Sequence, residues 1–245
     1  MSEPIYSIGD IHGQLSKLHE VLDLIETDGG PDAKIVFLGD YTDRGPDSRG
    51  VLDLLIEGQT AKRPWIFLQG NHDRMFSMFL ETPPQADPYM MVELYWLHPR
   101  LGGDTTLASY GVDASGRRRV KDVHADTLAA VPQTHIDFLK DLTLHHTTDD
   151  LMFVHAGIRP GVAITDQDEE DLIWIRQEFH EYHKAHPKLI VHGHTPIDVP
   201  THYGNRVNLD TGAGYGKALT AAVFEAGSCY ALSDTGRALL VPQVC

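Results

Sequence analysis

The chain has 245 residues, 42% of them hydrophobic, enough for one large domain or two small ones around a substantial core. Its 20 Lys and Arg stand against 35 Asp and Glu, and the formal charge of −15 excludes nucleic acid as a bulk electrostatic partner. Two cysteines without paired spacing argue against a disulfide framework; no basic-then-apolar leader and no window near the roughly 18 apolar residues of a membrane span point to a soluble, cytoplasmic protein without a membrane partner.

In chain order, short apolar runs end on glycine and a polar residue. Ile5 to Ile8 feeds Gly9-Asp10-Ile11-His12-Gly13, Lys34 to Leu38 feeds Gly39-Asp40, and Trp65 to Leu68 leads to Gly70-Asn71-His72-Asp73. Later, Leu151 to Val154 ends at His155, and Leu189 to Val191 ends before His194. Each run is rich in β-branched or aromatic residues, as a buried strand feeding a loop should be. Between them, Gln14 to Glu26 places Leu15, Leu18, Val21, Leu22 and Ile25 on one helical face, and Ser48 to Glu57 does so with Val51, Leu54 and Leu55. Alternating strand and helix predicts α/β layers with the site at the strand ends.

Residues 82–131 break the rhythm. Pro83, Pro84 and Pro88 open the segment, Tyr89 to Leu97 has helical apolar spacing, and Arg117-Arg118-Arg119 follows Gly102-Gly103. The segment reads as a mainly helical insertion capping the site, the arginine run as a solvated loop.

The polar residues at the strand ends form a metal-binding set. Asp10 and His12 stand two apart and can grip one ion, while Asp40 comes 30 residues later, the length of a strand-helix-strand unit, where its carboxylate can bridge two ions. Asn71 offers an amide oxygen, and His155 and His194 complete a second site. Asp10, His12, Asp40, Asn71, His155 and His194 make an O/N set for two divalent first-row ions, manganese first, with iron or zinc as alternatives. His72 cannot easily face the same metal as Asn71 and is the candidate general acid, with Asp43 holding its tautomer. Arg44 can clamp phosphate oxygens. Two further histidine groups are weaker. His180, His183 and His186 recur every third residue and suggest a solvated helix face, and His192 should share a strand side with His194 as a supporting residue or substitute ligand.

This ordered set resembles the calcineurin-like metallophosphoesterase superfamily. Gly39-Asp40-Tyr41-Thr42-Asp43-Arg44-Gly45 is similar to the second motif of bacterial and phage serine/threonine phosphoprotein phosphatases, and Asp171 to Arg176 to their segment with a second phosphate-binding arginine, here Arg176. Gly102-Gly103 to Thr106 and on to Gly111 resembles that group's cap. The resemblance runs from Ile5 to about Leu219 and implies one domain over residues 1–245, a β-sandwich of mixed sheets flanked by helices, with 82–131 inserted. It also implies in-line hydrolysis by a metal-bridging hydroxide, with Arg44, Asn71 and Arg176 on the phosphate. Asp73 replaces the usual Glu, and Pro196 stands where phosphodiesterases carry a further histidine, which favours phosphomonoesters. The expected substrate is a phosphoprotein or small phosphorylated molecule. Symmetrical diadenosine tetraphosphate hydrolases also resemble the chain but normally lack the acid at Asp43. A non-catalytic phosphate-binding module is the third possibility, and the intact ligand set and His72 speak against it.

Overall fold

The computed structural model describes residues 3–90, 94–116 and 118–243. Strands β1 (Ile5–Ile8), β2 (Lys34–Phe37) and β3 (Trp65–Phe67) are separated by helices α1 (Leu15–Gly29) and α2 (Ser48–Thr60), and α3 (Asn71–Phe79) starts at the third strand's loop. Then come α4 (Gly103–Ser109), α5 (Val120–Ala130), α6 (Gln133–Asp141), β4 (His145–Thr147) and β5 (Leu151–Val154). Helices α7 (Glu169–Trp174) and α8 (Gln177–His180) precede β6 (Leu189–His192), β7 (Thr201–His202) and β8 (Arg206–Asn208). Strands β9 (Ala221–Glu225), β10 (Ser228–Ser233) and β11 (Gly236–Leu239) follow.

Two mixed sheets stack between helices. The first has the order β11-β10-β9-β1-β2-β3, with β1, β2 and β3 parallel; the second has the order β4-β5-β6-β8-β7, with β5, β6 and β8 parallel. Period-two alternation assigns the faces. On β1 and β2, Tyr6, Ile8, Ile35 and Phe37 meet the core under α1, α2 and α3, while Val36 and Leu38 face the second sheet with Phe153, Val191 and Val207. Met152, Val154 and Ile190 turn the other way, onto Leu172, Ile173 and Phe179. Phe153 is fully buried between the sheets, where a large apolar side chain contributes roughly 1.5–3 kcal/mol. The mixed-sheet α/β sandwich expected from the sequence is the observed architecture.

Two local expectations fail. The described part of Tyr89–Leu97 forms turns rather than a helix, closed by the His98 amide on the Tyr95 carbonyl (2.7 Å), and Pro99 lacks the N–H a continuing helix would need. Helix α8 ends at His180, before the other two histidines of the triplet; His183 is exposed, whereas His180 and His186 are half-buried with both rings against Phe179.

Candidate metal centre

Every strand-end motif delivers its side chain to one place. Asp10 and His12 follow β1, Asp40 follows β2, Asn71 and His72 open α3 after β3, His155 follows β5 and His194 follows β6; all seven are buried. The chain reaches this point through unusual backbone. His12, Asp40, Asp43, Arg44 and His194 all have positive φ, between 49° and 72°. Left-handed conformations in non-glycine residues cost about 1 kcal/mol or more each and persist where surrounding structure enforces them. Close packing explains two motif glycines: a Cβ on Gly70 would overlap the Asp40 carboxylate, and one on Gly193 the Asp10 carboxylate.

The donor atoms fall into two groups that share Asp40. Asp10, Asp40 and His155 offer atoms within 4.8 Å of one another, and so do His12, Asp40 and His72. His155 Nδ1–H donates to the Leu38 carbonyl (2.8 Å), which leaves Nε2 with a lone pair 3.1 Å from Asn71 Oδ1 and 3.5 Å from Asp40 Oδ1. His194 Nδ1 lies 2.8 Å from the same Asn71 oxygen. His12 Nδ1–H donates to the Thr42 carbonyl (2.8 Å), turning Nε2 toward Asp40 Oδ2 at 3.4 Å. Nitrogen and oxygen acceptor atoms thus converge around Asp40 and Asn71, an arrangement that divalent cations satisfy.

Electrostatics agree with that reading. Burial, with Arg44 beside it, holds His12 well below the usual imidazole range, and burial lowers His155 and His194 too, which favours the neutral rings that offer a lone pair. Burial opposes charge on Asp40, but His155, His72, His12 and Arg44 more than offset it and hold the carboxyl well below the usual range. Asp10 is pushed up by burial and by the nearby Asp210 and Asp40 carboxylates.

His72 and Asp43 form a buried pair, Nδ1 to Oδ2 at 2.6 Å. His72 nevertheless belongs to the same donor group as His12 and Asp40, so it adjoins these candidate ligands closely. Arg44 donates to His72 Nε2 (2.9 Å) and to His12 Nε2, and its guanidinium carbon lies 4.8 Å from the centre of the Tyr215 ring. Arg176 is exposed and donates to Thr195 Oγ1 (3.1 Å) beside His194.

His192 does not join the set. The positive φ of His194 breaks strand alternation, and the His192 ring faces Phe179 (5.0 Å) and His180 (5.9 Å). Within the arginine run, Arg117 lies outside the described residues, Arg118 pairs with Asp126, and Arg119 pairs with Asp122. Sequence reasoning missed Trp96 and Thr106, which both bond Asp43, and Asp210, buried beside Asp10 with its carboxyl pushed up to about 6, mainly by burial. Their separation from the motifs in sequence hides these contacts, although Thr106 lies in a stretch whose resemblance was already visible.

The chain belongs to the calcineurin-like phosphoesterase family, whose model matches residues 3–216. A dinuclear divalent metal centre is characteristic of this family, and the two donor groups here could hold such ions. Bis(5'-nucleosyl)-tetraphosphatase PrpE (asymmetrical) of Bacillus thuringiensis strain Al Hakam is 28% identical over 239 residues, covering 87% of each chain. A solved protein provisionally named a diadenosine tetraphosphatase superposes with a TM-score of 0.65 at 20% identity over 96% of each chain. The cold-active protein-tyrosine phosphatase of a psychrophilic Shewanella gives 0.63 at 17% identity, over 98% of this chain and 81% of that one. At such identities the structural likenesses establish fold alone. Among the described residues, no helix is long and apolar enough to cross a membrane.

Proposed function

We propose that the chain is a two-metal phosphomonoesterase acting on phosphoserine and phosphothreonine in proteins, with phosphotyrosine as a further substrate. Asp10, His12, Asp40, Asn71, His155 and His194 hold the ions, manganese by preference, in a cytoplasmic enzyme. Two ions so held would acidify a water enough for it to attack phosphorus near neutral pH. Arg44, Arg176 and Asn71 bind and orient the phosphoryl oxygens, where guanidinium groups offset charge that grows in the transition state.

The observation that carries this reading is the buried His72–Asp43 pair at 2.6 Å. An alkoxide, or a phenoxide whose conjugate acid has a pKa near 10, leaves poorly without a proton. Asp43 fixes the imidazole so that His72, when Nε2 carries a proton in place of its contact with Arg44, can deliver that proton to the departing oxygen. A nucleotide phosphate is already a good leaving group and needs no such acid.

A second reading, hydrolysis of dinucleoside tetraphosphates, is favoured by the PrpE relative, which is named for asymmetrical cleavage, whereas the sequence suggested the symmetrical branch. The purified protein with manganese should be assayed on phosphoserine, phosphothreonine and phosphotyrosine peptides and on diadenosine tetraphosphate. We expect the highest kcat/KM on a phosphopeptide. A tetraphosphate preference of about tenfold or more would overturn the phosphoprotein assignment, and the products, two ADP or AMP plus ATP, would show the cleavage mode.

A further inference from the structure

Trp96 and Thr106 lie far from the metal-site motifs in sequence, yet both reach Asp43. We infer that they are positioning residues for the general acid, so that the 82–131 segment sets the orientation of the proton donor; this rests on His72 being that acid. The Asp43 side chain is fully buried, and three donors fix its carboxylate. Oδ2 accepts His72 Nδ1–H (2.6 Å) and Trp96 Nε1–H (2.9 Å), and Oδ1 accepts the Thr106 hydroxyl (2.8 Å). The same hydroxyl oxygen accepts the Asp43 backbone N–H (2.8 Å) and stands 3.0 Å from Ser48 Oγ, so its one donor and two acceptor directions are all used. Thr106 therefore grips both ends of a residue whose backbone is left-handed, with φ of 72°.

Trp96 is held just as firmly. Its ring stacks on Phe76 with centroids 5.1 Å apart and packs on Phe79 at 4.8 Å, and both belong to α3, the helix that begins with Asn71 and His72. The acid is thus carried by the same helix against which the group that aims its partner is packed. Gly102 and Gly103 permit this closeness, because a Cβ on Gly102 would overlap the Arg44 backbone and one on Gly103 the Trp96 indole. A carboxylate with three fixed donors cannot rotate away from His72, which keeps Nδ1–H bound and Nε2 directed into the site. Positioning of this kind governs the step that needs a proton and leaves substrate binding alone.

Trp96→Phe keeps the aromatic packing and removes the N–H; Thr106→Val keeps the shape and removes the hydroxyl. Kinetics with manganese on phenyl phosphate and 4-nitrophenyl phosphate separate aim from support, because only the first needs much help in leaving. For the double variant we expect kcat on phenyl phosphate to fall roughly 10- to 100-fold, and on the nitrophenyl ester less than about threefold, with KM unchanged on both. Thr106→Ser should restore the activity of Thr106→Val. Equal losses on both esters, or none, would overturn the proposal. His72→Asn is the control: if it loses both esters equally, the general-acid reading has failed instead. Proton NMR gives a readout independent of turnover. The hydrogen-bonded His72 Nδ1–H resonance, assigned by its loss in His72→Asn, should be sharp in the native protein and in Thr106→Ser and broadened or lost in the double variant. If it is unchanged in the double variant, Trp96 and Thr106 do not hold the pair.

Discussion

Asp73 Oδ2 accepts the backbone N–H of Asp40 at 2.7 Å, so a carboxylate on α3 fixes the peptide from which the side chain common to both donor groups projects. The same side chain accepts the N–H groups of Tyr41 (2.9 Å) and Gly70 (3.0 Å). Three amides aimed at one carboxylate need an acceptor on both oxygens. In Asp73→Asn one of them becomes an NH2 facing N–H groups, and the Asp40 loop loses its anchor. We predict a fall in metal affinity of roughly 10- to 100-fold for this variant. Metal titration by calorimetry tests it, and unchanged affinity would show that Asp73 is not needed to hold Asp40.

The two arginines should separate kinetically. Arg176 is exposed and bonded to Thr195, whereas Arg44 is wedged between His12 and His72. Arg176→Ala is expected to raise KM about tenfold with a small change in kcat, as loss of one charged hydrogen bond to bound substrate would. Arg44→Ala should lower kcat as well. Steady-state kinetics on a phosphopeptide decide the matter, and a pure kcat effect at Arg176 would contradict its binding role.

His180 gives the fold a measurable response to acid. Burial, then the charges of Arg206 and Arg176, lower its pKa from 6.5 to about 4. The unfolded chain therefore binds a proton that the folded chain refuses between those values, and stability is lost as the pH falls from 6.5 toward 4. Above 6.5 both states are neutral and the effect is absent. His180→Gln should lose less melting temperature across that window than the native protein, as thermal denaturation would reveal. Parallel curves would remove His180 from the account.

Much of the clustering at this site was legible in the sequence because the candidate ligands sit where short buried strands end, and strand ends are marked locally by glycine and a polar residue. Asp10, Asp40 and His155 could be placed together from such marks, and β1, β5 and α2 begin where the apolar pattern begins. His192 was misread because alternation holds only while the backbone stays extended, and the turn at His194 is invisible in side-chain chemistry. Trp96 was hidden for a different reason: its partner lies 53 positions away, and an indole in an apolar run looks like core until its N–H is seen on Asp43. The strands β9, β10 and β11 are an antiparallel meander added to one edge of β1, with no ligand to announce them.

Gly70 provides a test of closeness rather than conformation. Its φ is −95°, which any residue can adopt, yet an added methyl would overlap the Asp40 carboxylate. Gly70→Ala should cost at least tenfold in kcat/KM while the circular dichroism spectrum stays native, since Asp40 must move to make room. Full activity in that variant would mean the loop yields more easily than its packing implies.

Strand β1 sits in the middle of its sheet, with β2 on one side and β9 on the other, where Ile5 faces Phe224 and Ile8 faces Ala221. One flank of β1 therefore waits for a partner more than two hundred residues behind it in synthesis. Without that partner the loop bearing Asp10 and His12 would hang from a half-paired strand, so the site is expected to form only after β9 has been made. Long-range pairing of this kind makes refolding slow. A chain cut before Ala221 should consequently fail to form the centre, and release of nascent chains at defined lengths would show activity arising only after β9 has emerged.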